Sequence, residues 1–276
     1  MRNIALLIEY DGTAYGGWQA QKNTISVQEV IEKGLSLLFS KEISSGRGKI
    51  NIVGAGRTDA GVHAYGQVAN FRTGSDWDTE KITHALNAIL PFDIAVRKTV
   101  DVPDNFHARF DATAREYTYR IVTRKSPNVR HFAALFHYRL SIDSMNAAAC
   151  YLVGKKSFKS FAKNSGEQRN FVCDVKKAEW KRDTRYGDRE SFVSFPASEV
   201  HPEFHTICFE IEADRFLHGM VRAIVGTLID VGRGKISIED FKRILVSEDR
   251  TMASMDVPAC GLCLEEVKYG FDIWNR

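Results

Sequence analysis

The order of predicted strands and helices repeats along the chain, and this repeat restricts the fold more than any other feature. The first half reads strand, helix, strand, strand, helix, strand, over Asn3–Tyr10, a helix opened by Ser26, Ile50–Ala55, a half-buried Tyr65–Arg72, a helix opened by Asp78, and Ile94–Val102. The second half repeats this order over Thr113–Thr123, Ser141 to about Gly154, Phe171–Lys181, Phe204–Ala213, Phe216–Val231 and Leu262–Tyr269. Two successive β-α-β-β-α-β units predict an α+β fold of two ferredoxin-like (RRM-like) modules.

Capping residues mark the starts of four predicted helices: Ser26, Asp78, Ser141 and Ser237. Ser26 is followed three residues later by Glu29, which is the capping-box pattern, and Ser237 opens an additional helix to Val246. The predicted modules span residues 1–105 and 106–276. The segment Arg182–Pro202 is polar, charged and contains Gly and Pro, and we interpret it as an insertion loop within the second module.

Composition narrows the class of protein. The chain has 276 residues, of which 44% are hydrophobic, enough for a packed core. No apolar stretch approaches the ~20 residues of a membrane span, and Glu9 and Asp11 come too early for a signal peptide. The five cysteines are an odd number, and Cys260 and Cys263 form the only C-x-x-C, without a second pair at zinc spacing. We therefore expect a soluble, cytoplasmic protein without disulfides, bound metal or membrane association.

Basic residues concentrate between residues 97 and 130, although the net charge is only +3. They alternate there with aromatic residues, and the basic set is Arg97, Lys98, Arg109, Arg115, Arg120, Arg124, Lys125 and Arg130. Such a mixture is typical of a groove that follows phosphates and stacks bases. A solvated basic surface is the alternative interpretation.

A glycine-rich turn at residues 54–61 holds Arg57 and Asp59 two positions apart. It does not fit a dinucleotide fingerprint, because the third glycine comes too late and a strand follows rather than a helix. A tight backbone there would direct both side chains at one site. The alternative is an ordinary turn in which Asp59 caps backbone amides.

Five further residues stand out. Arg222 lies in a predicted helix that is apolar nearly all round, where a guanidinium needs an anionic partner, and His218 is predicted one turn earlier on the same face. The partner is either a structural acid or a catalytic carboxylate, for which Asp59 is the candidate. Trp18, in a glycine-rich segment, is either a loop anchor or a base-stacking platform. The histidines of His201-Pro-Glu-Phe-His205 need not converge on a metal.

Motifs along nearly the whole chain resemble the tRNA pseudouridine synthase A family. The matching segments include residues 9–12, 17–19, 26–29, the GRTDAGVH segment at 56–63, 106–110, 112–117, 216–222, 249–251 and 258–262. The resemblance implies two ferredoxin-like halves joined into one extended mixed or antiparallel sheet with a central cleft. It also implies conversion of uridine to pseudouridine in the anticodon stem-loop of tRNA, typically at positions 38–40. Homodimers, no organic cofactor, no metal and no DNA partner are implied as well.

The same resemblance assigns the site residues. Asp59 matches the nucleophile, Arg57 the adjacent basic residue, Tyr117 the tyrosine that contacts uracil, and Arg222 the arginine that faces the carboxylate. Arg109, His63 and His218 lie in the matched motifs and are expected to bind substrate together with Tyr117 and Arg57.

The chemistry suits these assignments, because a carboxylate can split one difficult displacement into two easier steps. Whether Asp59 attacks C1′ of the sugar or C6 of uracil stays open. Nearby arginines favour an ionised carboxylate, and a uridine in a stem must be flipped out before it reacts. Arg57 is expected to fill the vacancy. Gly219 stands where many relatives have a histidine, and the insertion at 182–202 either extends RNA contacts or only decorates an edge.

Two other functions compete with this hypothesis. A catalytically silent RNA-binding protein of two RRM-like modules is the main alternative, although the RNP1 aromatic pattern is missing. A small-molecule enzyme on the same fold, with Asp59 as general base, is the other.

Overall fold

The computed structural model describes residues 1–40, 49–163, 170–182 and 206–274. Its strands are β1 (Arg2–Tyr10), β2 (Val53–Gly54), β3 (His63–Thr73), β4 (Ile94–Val102), β5 (Ala112–Val122), β6 (Ala134–Leu135), β7 (Gly154–Ser157), β8 (Val172–Arg182), β9 (Thr206–Ala213) and β10 (Leu262–Tyr269). Its α-helices are α1 (Val27–Leu38), α2 (Thr79–Ile89), α3 (Ile142–Ala149), α4 (Met220–Gly232) and α5 (Ile238–Ser247). Strand pairings are both parallel and antiparallel, so the predicted α+β class is confirmed.

The chain divides into two compact units. The first unit comprises Met1–Arg115 together with the C-terminal segment that begins at Cys263, and the second unit is Glu116–Leu262. The chain passes from one unit to the other within β5. The first unit is therefore built from two separate stretches of sequence, whereas the predicted modules 1–105 and 106–276 are each continuous.

The sheet of the first unit has β1 between β3 and β4, antiparallel to both. The far edge of β3 is shared by two strands, since β2 pairs with Asn70 and Ala69 while β10 runs parallel to His63 and Ala64. Nearly every residue of β3 is buried, so the prediction of a half-buried strand was wrong. Strand β3 thus has hydrogen-bonding partners on both edges, and its side chains are buried on both faces.

Capping residues define α1 and α2 as predicted. Ser26 Oγ accepts a hydrogen bond from Glu29 N, and Asp78 accepts one from Lys81 N. Both satisfy amides that the first turn of a helix leaves without intrahelical partners. The Glu29 side chain forms an ion pair with Lys33 one turn along α1.

The predicted strand Ile50–Ala55 is reduced to the two residues of β2. Side chains of α1 bind the backbone before it, because Glu32 accepts from Ile52 N while Gln28 donates to Ile52 O. Side-chain hydrogen bonds thus replace the ladder bonds that a longer strand would need.

In the second unit the strands follow the order β5-β9-β8-β7, with β6 parallel to β5 at its end. The apolar helix α4 is buried almost throughout, as predicted. It begins at Met220 rather than at Phe216, because Gly219 adopts a left-handed conformation with φ of 71° at the N-cap. The predicted helix from Ser141 to about Gly154 is α-helical only to Ala149; a 3₁₀ helix over Cys150–Leu152 continues it before β7 begins at Gly154.

Two expectations fall outside the described residues: the insertion loop beyond Arg182, and the pair His201 and His205. Within the described ranges, no helix is both long enough and apolar enough to cross a bilayer.

Candidate active site

The GRTDAGVH segment of the first unit lies against the glycine-rich loop that follows β1. Trp18 N donates to Thr58 O at 3.1 Å, and Gly61 N donates to Tyr15 O at 3.3 Å. Gly17 has a φ of 102°, and a Cβ atom there would lie 2.5 Å from Thr58 O. Only glycine allows this backbone approach, so the two loops fix each other's path.

Side chains alternate in direction along the segment. Arg57 is exposed, Thr58 is buried and Asp59 is partly exposed. The Thr58 hydroxyl bonds to the Tyr10 hydroxyl at 2.8 Å inside the unit. Thr58 therefore anchors the turn and places its two charged neighbours at or near the surface.

A tight turn follows Asp59. Val62 N donates to Asp59 O at 3.1 Å, and Gly61 takes a positive φ of 77°. These bonds hold the backbone on the C-terminal side of Asp59, as the contacts with Gly17 and Trp18 hold it on the N-terminal side. The carboxylate thus projects from a main chain that is fixed on both sides, which is the arrangement that a nucleophile or general base requires.

Trp18 is an internal anchor and not a base-stacking platform. Only 3% of its surface is exposed, and its ring lies 6.1 Å from that of Tyr10. A Cβ atom on Gly54 would lie 2.4 Å from Trp18 Nε1, so the indole fills the space above the short strand β2.

His63 is 3% exposed and supports the same loops from within. Gly12 N donates to its Nδ1 at 3.1 Å, and Asp11 Oδ1 lies 3.1 Å from that nitrogen. The contact with Asp11 becomes an ion pair only when the ring is protonated. The predicted substrate-binding role of His63 stays a prediction.

Arg115, assigned by its sequence to a basic groove, is buried and structural. Its guanidinium donates to Ala55 O at 2.8 Å, Arg109 O at 2.7 Å and Ala112 O at 3.1 Å. It therefore joins the start of the glycine-rich turn to the segment that carries Arg109. The alternation of β5 puts position 115 on the same side of the strand as Tyr117, a signal that could have indicated its burial.

Other basic residues of this stretch are also buried or already bonded within the protein, so the stretch does not form one continuous basic groove. Arg120 is 2% exposed, Arg97 pairs with Glu9, and Lys98 Nζ bonds to Trp274 O. Arg97 and Lys98 are exposed in spite of these contacts, and so are Arg109, Arg124, Lys125 and Arg130.

Arg109 belongs to an exposed cluster with His107 and Phe110. The rings of His107 and Phe110 are 4.3 Å apart, and the Arg109 guanidinium lies 5.7 Å from the Phe110 ring centre. Phe110 is 73% exposed. A cation beside an open aromatic face is a combination that binds phosphates and stacks bases.

Tyr117 and Arg222 belong to the second unit. Tyr117 is buried, and its ring meets Phe216 edge to face with centres 5.1 Å apart. Arg222 is partly exposed on α4, and its Nε donates to Val257 O at 2.8 Å. His218 is exposed and precedes α4, so the prediction that it shares a helix face with Arg222 was wrong.

Asp256 is an acid near Arg222 that the sequence did not point to. It forms ion pairs with Lys163 and Arg250, each at 2.9 Å. Burial by itself raises the pKa of this carboxyl, but the Lys163 bond and charge, the Arg222 charge and the Arg250 bond together bring the pKa below its usual value.

The cysteines occupy separate environments. Cys263 is buried, and Cys260 Sγ is 3.9 Å from Ala133 O. Burial raises the pKa of the Cys260 thiol. Among the residues that the structure describes, no three His, Cys, Asp or Glu side chains come together as a metal site.

Comparison with known proteins gives consistent results. A sequence model of the family described as tRNA pseudouridine synthase matches residues 6–111 and 148–270. Proteins named tRNA pseudouridine synthase A are 40% identical to the chain in Thermoanaerobacter sp. (strain X514), over 98% of this chain and 100% of the relative, and in Bacteroides fragilis, over 98% and 97%. The protein of the same name in Clostridium kluyveri is 40% identical over 98% and 100%.

Proposed function

The chain belongs to the tRNA pseudouridine synthase family, and on this premise we propose that it isomerises uridine to pseudouridine in the anticodon stem-loop of tRNA, typically at positions 38–40. The observation that carries the proposal is Asp59, a partly exposed carboxylate on a backbone that is held on both sides within a segment that matches the family. The names of the relatives do not favour a catalytically silent RNA-binding protein.

The proposed reaction is an isomerisation without a redox step. The C1′–N1 bond breaks, the uracil turns, and C5 bonds to C1′. The hydrogen of C5 leaves to solvent as a proton, and N1 ends with a proton, so the atoms of the nucleoside balance. Asp59 would attack either C1′ of the sugar or C6 of uracil. Either attack gives a covalent intermediate, which divides the isomerisation into easier steps.

The other residues support this chemistry by charge and shape. Arg57, exposed beside Asp59, occupies the vacancy that a flipped uridine leaves in the stem. Tyr117 stacks on the uracil, held in place by Phe216. Arg222 is assigned the role of the arginine that faces the carboxylate in the family motif.

Substrate binding is assigned to exposed groups. Arg109, with Phe110 beside it, contacts the RNA backbone and an unpaired base. His218, exposed ahead of α4, contacts the RNA from the second unit. Buried His63 acts indirectly, because it accepts a hydrogen bond from Gly12 N in the loop that packs against the loop of Asp59.

We include in the proposal the finer features of the family: two ferredoxin-like modules with a cleft between them, a homodimer, no organic cofactor and a cytoplasmic location. In the first unit, the chain order β1-α1-β2-β3-α2-β4 and the strand neighbours β4-β1-β3-β2 support the first of these modules.

Tritium release from tRNA that is labelled at uracil C5 tests the function directly. C5 loses its hydrogen only when it bonds to carbon, so the wild type should release tritium and Asp59→Ala should not. Asp76→Asn, at an exposed loop aspartate of the same unit, is the matched control and should keep full release. A folded wild type that binds tRNA yet releases no tritium from any tRNA would contradict the proposal.

A further inference from the structure

The segment Arg250–Val257, here called the strap, runs along α4 in the second unit. At one end of its contact with α4, Ser254 Oγ donates to Asp230 Oδ2 at 2.6 Å, and Ser254 N donates to Thr227 Oγ1 at 3.1 Å. In the middle the strap backbone presses on Gly226, where a Cβ atom would lie 2.3 Å from Met255 O. The strap thus covers about two turns of the helix.

The other end of the strap lies at Arg222. Arg222 Nε donates to Val257 O at 2.8 Å, and Val257 N approaches Arg222 O at 3.4 Å. A guanidinium that is bonded through Nε has its distal fork directed by that bond. The position of the Val257 carbonyl therefore sets the direction of the Arg222 side chain.

Asp256 is the strap residue directly before this carbonyl's residue, Val257, and it is held by two basic side chains. Its two carboxylate oxygens bind different partners, Oδ1 taking Arg250 and Oδ2 taking Lys163, each at 2.9 Å. Arg250 also donates to the strap carbonyls of Ala253 and Ser254. The carboxylate is only 13% exposed, so water screens these bonds weakly.

Lys163 connects the Asp256 carboxylate to the start of α4. Its backbone N donates to His218 O at 2.9 Å, and its side-chain carbons lie about 3.1 Å from the Cβ position of Gly219. One lysine therefore ties Asp256 to the N-terminal end of the helix that carries Arg222.

We propose that Asp256 is a positioning residue of the enzyme, which holds Arg222 in its active direction through the Val257 carbonyl, with Lys163 and Arg250 as its anchors. The inference rests on the proposed function, because it concerns the arginine to which that function assigns a catalytic charge. A displacement of a catalytic group by ~1 Å can cost ~100-fold in rate.

Asp256→Asn tests the proposal, with Asp230→Asn as its matched control. Asp230 is a carboxylate of the same strap interface, 11% exposed, and it bonds to Ser254 and Lys235 about two helical turns from Arg222. Both variants remove one charge and keep the side-chain shape. The measured quantities are kcat for tritium release, Kd for tRNA, Tm, and the rate at which the Arg222 Nε–H proton exchanges with water.

The proposal predicts that Asp256→Asn lowers kcat at least about tenfold and speeds exchange of the Arg222 Nε–H, while Kd changes less than about twofold. Asp230→Asn should lower Tm by a similar amount and leave kcat and exchange close to wild type. Lys163→Met, which keeps the carbons beside Gly219, should give a smaller loss of kcat and serves if Asp256→Asn does not fold. In an Arg222→Ala background, Asp256→Asn should cost no further activity.

The inference about Asp256 would be overturned, and the proposed function would stand, if the Asp256 and Asp230 variants lost kcat equally. An unchanged exchange rate in Asp256→Asn would have the same meaning. Absence of tritium release from the wild type would instead overturn the proposed function, and the positioning of a catalytic arginine with it.

Discussion

Gly17 and Thr58 approach so closely that a Cβ atom on Gly17 would lie 2.5 Å from the Thr58 carbonyl oxygen. The neighbouring residue Trp18 donates its backbone N–H to that oxygen. The loop after β1 and the loop of Asp59 are thus one structural unit, and a change in either should displace both.

We predict that Gly17→Ala destabilises the protein by about 1–3 kcal/mol, because it combines a φ of 102° with a backbone clash. Turnover should fall together with stability, since the strain is relieved by movement of the Asp59 loop. Urea denaturation and tritium release measure the two effects. Gly56→Ala, where a Cβ atom meets nothing within 4 Å, should change stability by less than ~0.5 kcal/mol. Equal stability of the two variants would contradict the prediction.

Arg115→Lys should cost about 2–4 kcal/mol, because an ammonium cannot reach the three carbonyls that the guanidinium fork binds. Loss of the bond to Ala55 should also loosen the turn before Arg57. Chemical denaturation checks the first effect, and amide exchange of residues 55–59 the second. Arg97→Lys is the control: its ion pair with Glu9 is exposed, so the change should cost less than ~1 kcal/mol.

The starts of four helices in the described part of the chain could be predicted from the sequence, because a capping residue defines each of them. Ser26, Asp78, Ser141 and Ser237 all accept the predicted hydrogen bond, because this signal lies within four residues of sequence. The start of α4 depends instead on the left-handed Gly219, which glycine permits but does not require. The shortening of β2 depends on Glu32 and Gln28, more than fifteen residues away along the chain.

The candidate site shows the same division. The motif places Arg57 and Asp59 on one turn, and local glycines explain why. Burial of Trp18 and Arg115 depends on what packs against them, so composition could not separate an anchor from a stacking platform, or a structural arginine from a phosphate ligand. Asp256 carries no motif of its own and is found only through its partners.

Two variants of Tyr117 separate the contribution of its aromatic ring from that of its hydroxyl group. Tyr117→Phe should keep the edge-to-face contact with Phe216 and the affinity for tRNA, and lose only the contribution of the hydroxyl to kcat. Tyr117→Ala should lose affinity as well and about 3–5 kcal/mol of stability, since a buried ring is removed. Binding and turnover are measured on both variants. If the two bind tRNA equally weakly, the stacking role is wrong.

The start of α5 gives a pH prediction. The Ser237 hydroxyl and backbone N–H donate to Asp240, Arg243 adds a further bond, and together they lower the pKa of the Asp240 carboxyl to about 2. A depressed pKa in the folded state stabilises above the unfolded value of ~3.9, and this contribution is lost as the pH falls from about 4 to 2. Ser237→Ala should raise the pKa of Asp240 toward 3.8, which carboxyl-carbon NMR titration measures. Ser144→Ala, in α3, should leave that titration unchanged.

Strand β10 begins where the chain leaves the second unit, and it pairs with β3 at His63 and Ala64, directly after the loop of Asp59. On the ribosome, the strand that flanks this loop is therefore made only after the whole of the second unit, a delay of roughly 7–30 s at typical rates of synthesis. Until then the nascent first unit presents an uncovered edge of β3 at His63 and Ala64, beside the loop of Asp59. Pairing at this edge is thus coupled to the synthesis of β10, and a chain whose synthesis stops within the second unit lacks the strand that flanks the loop of Asp59.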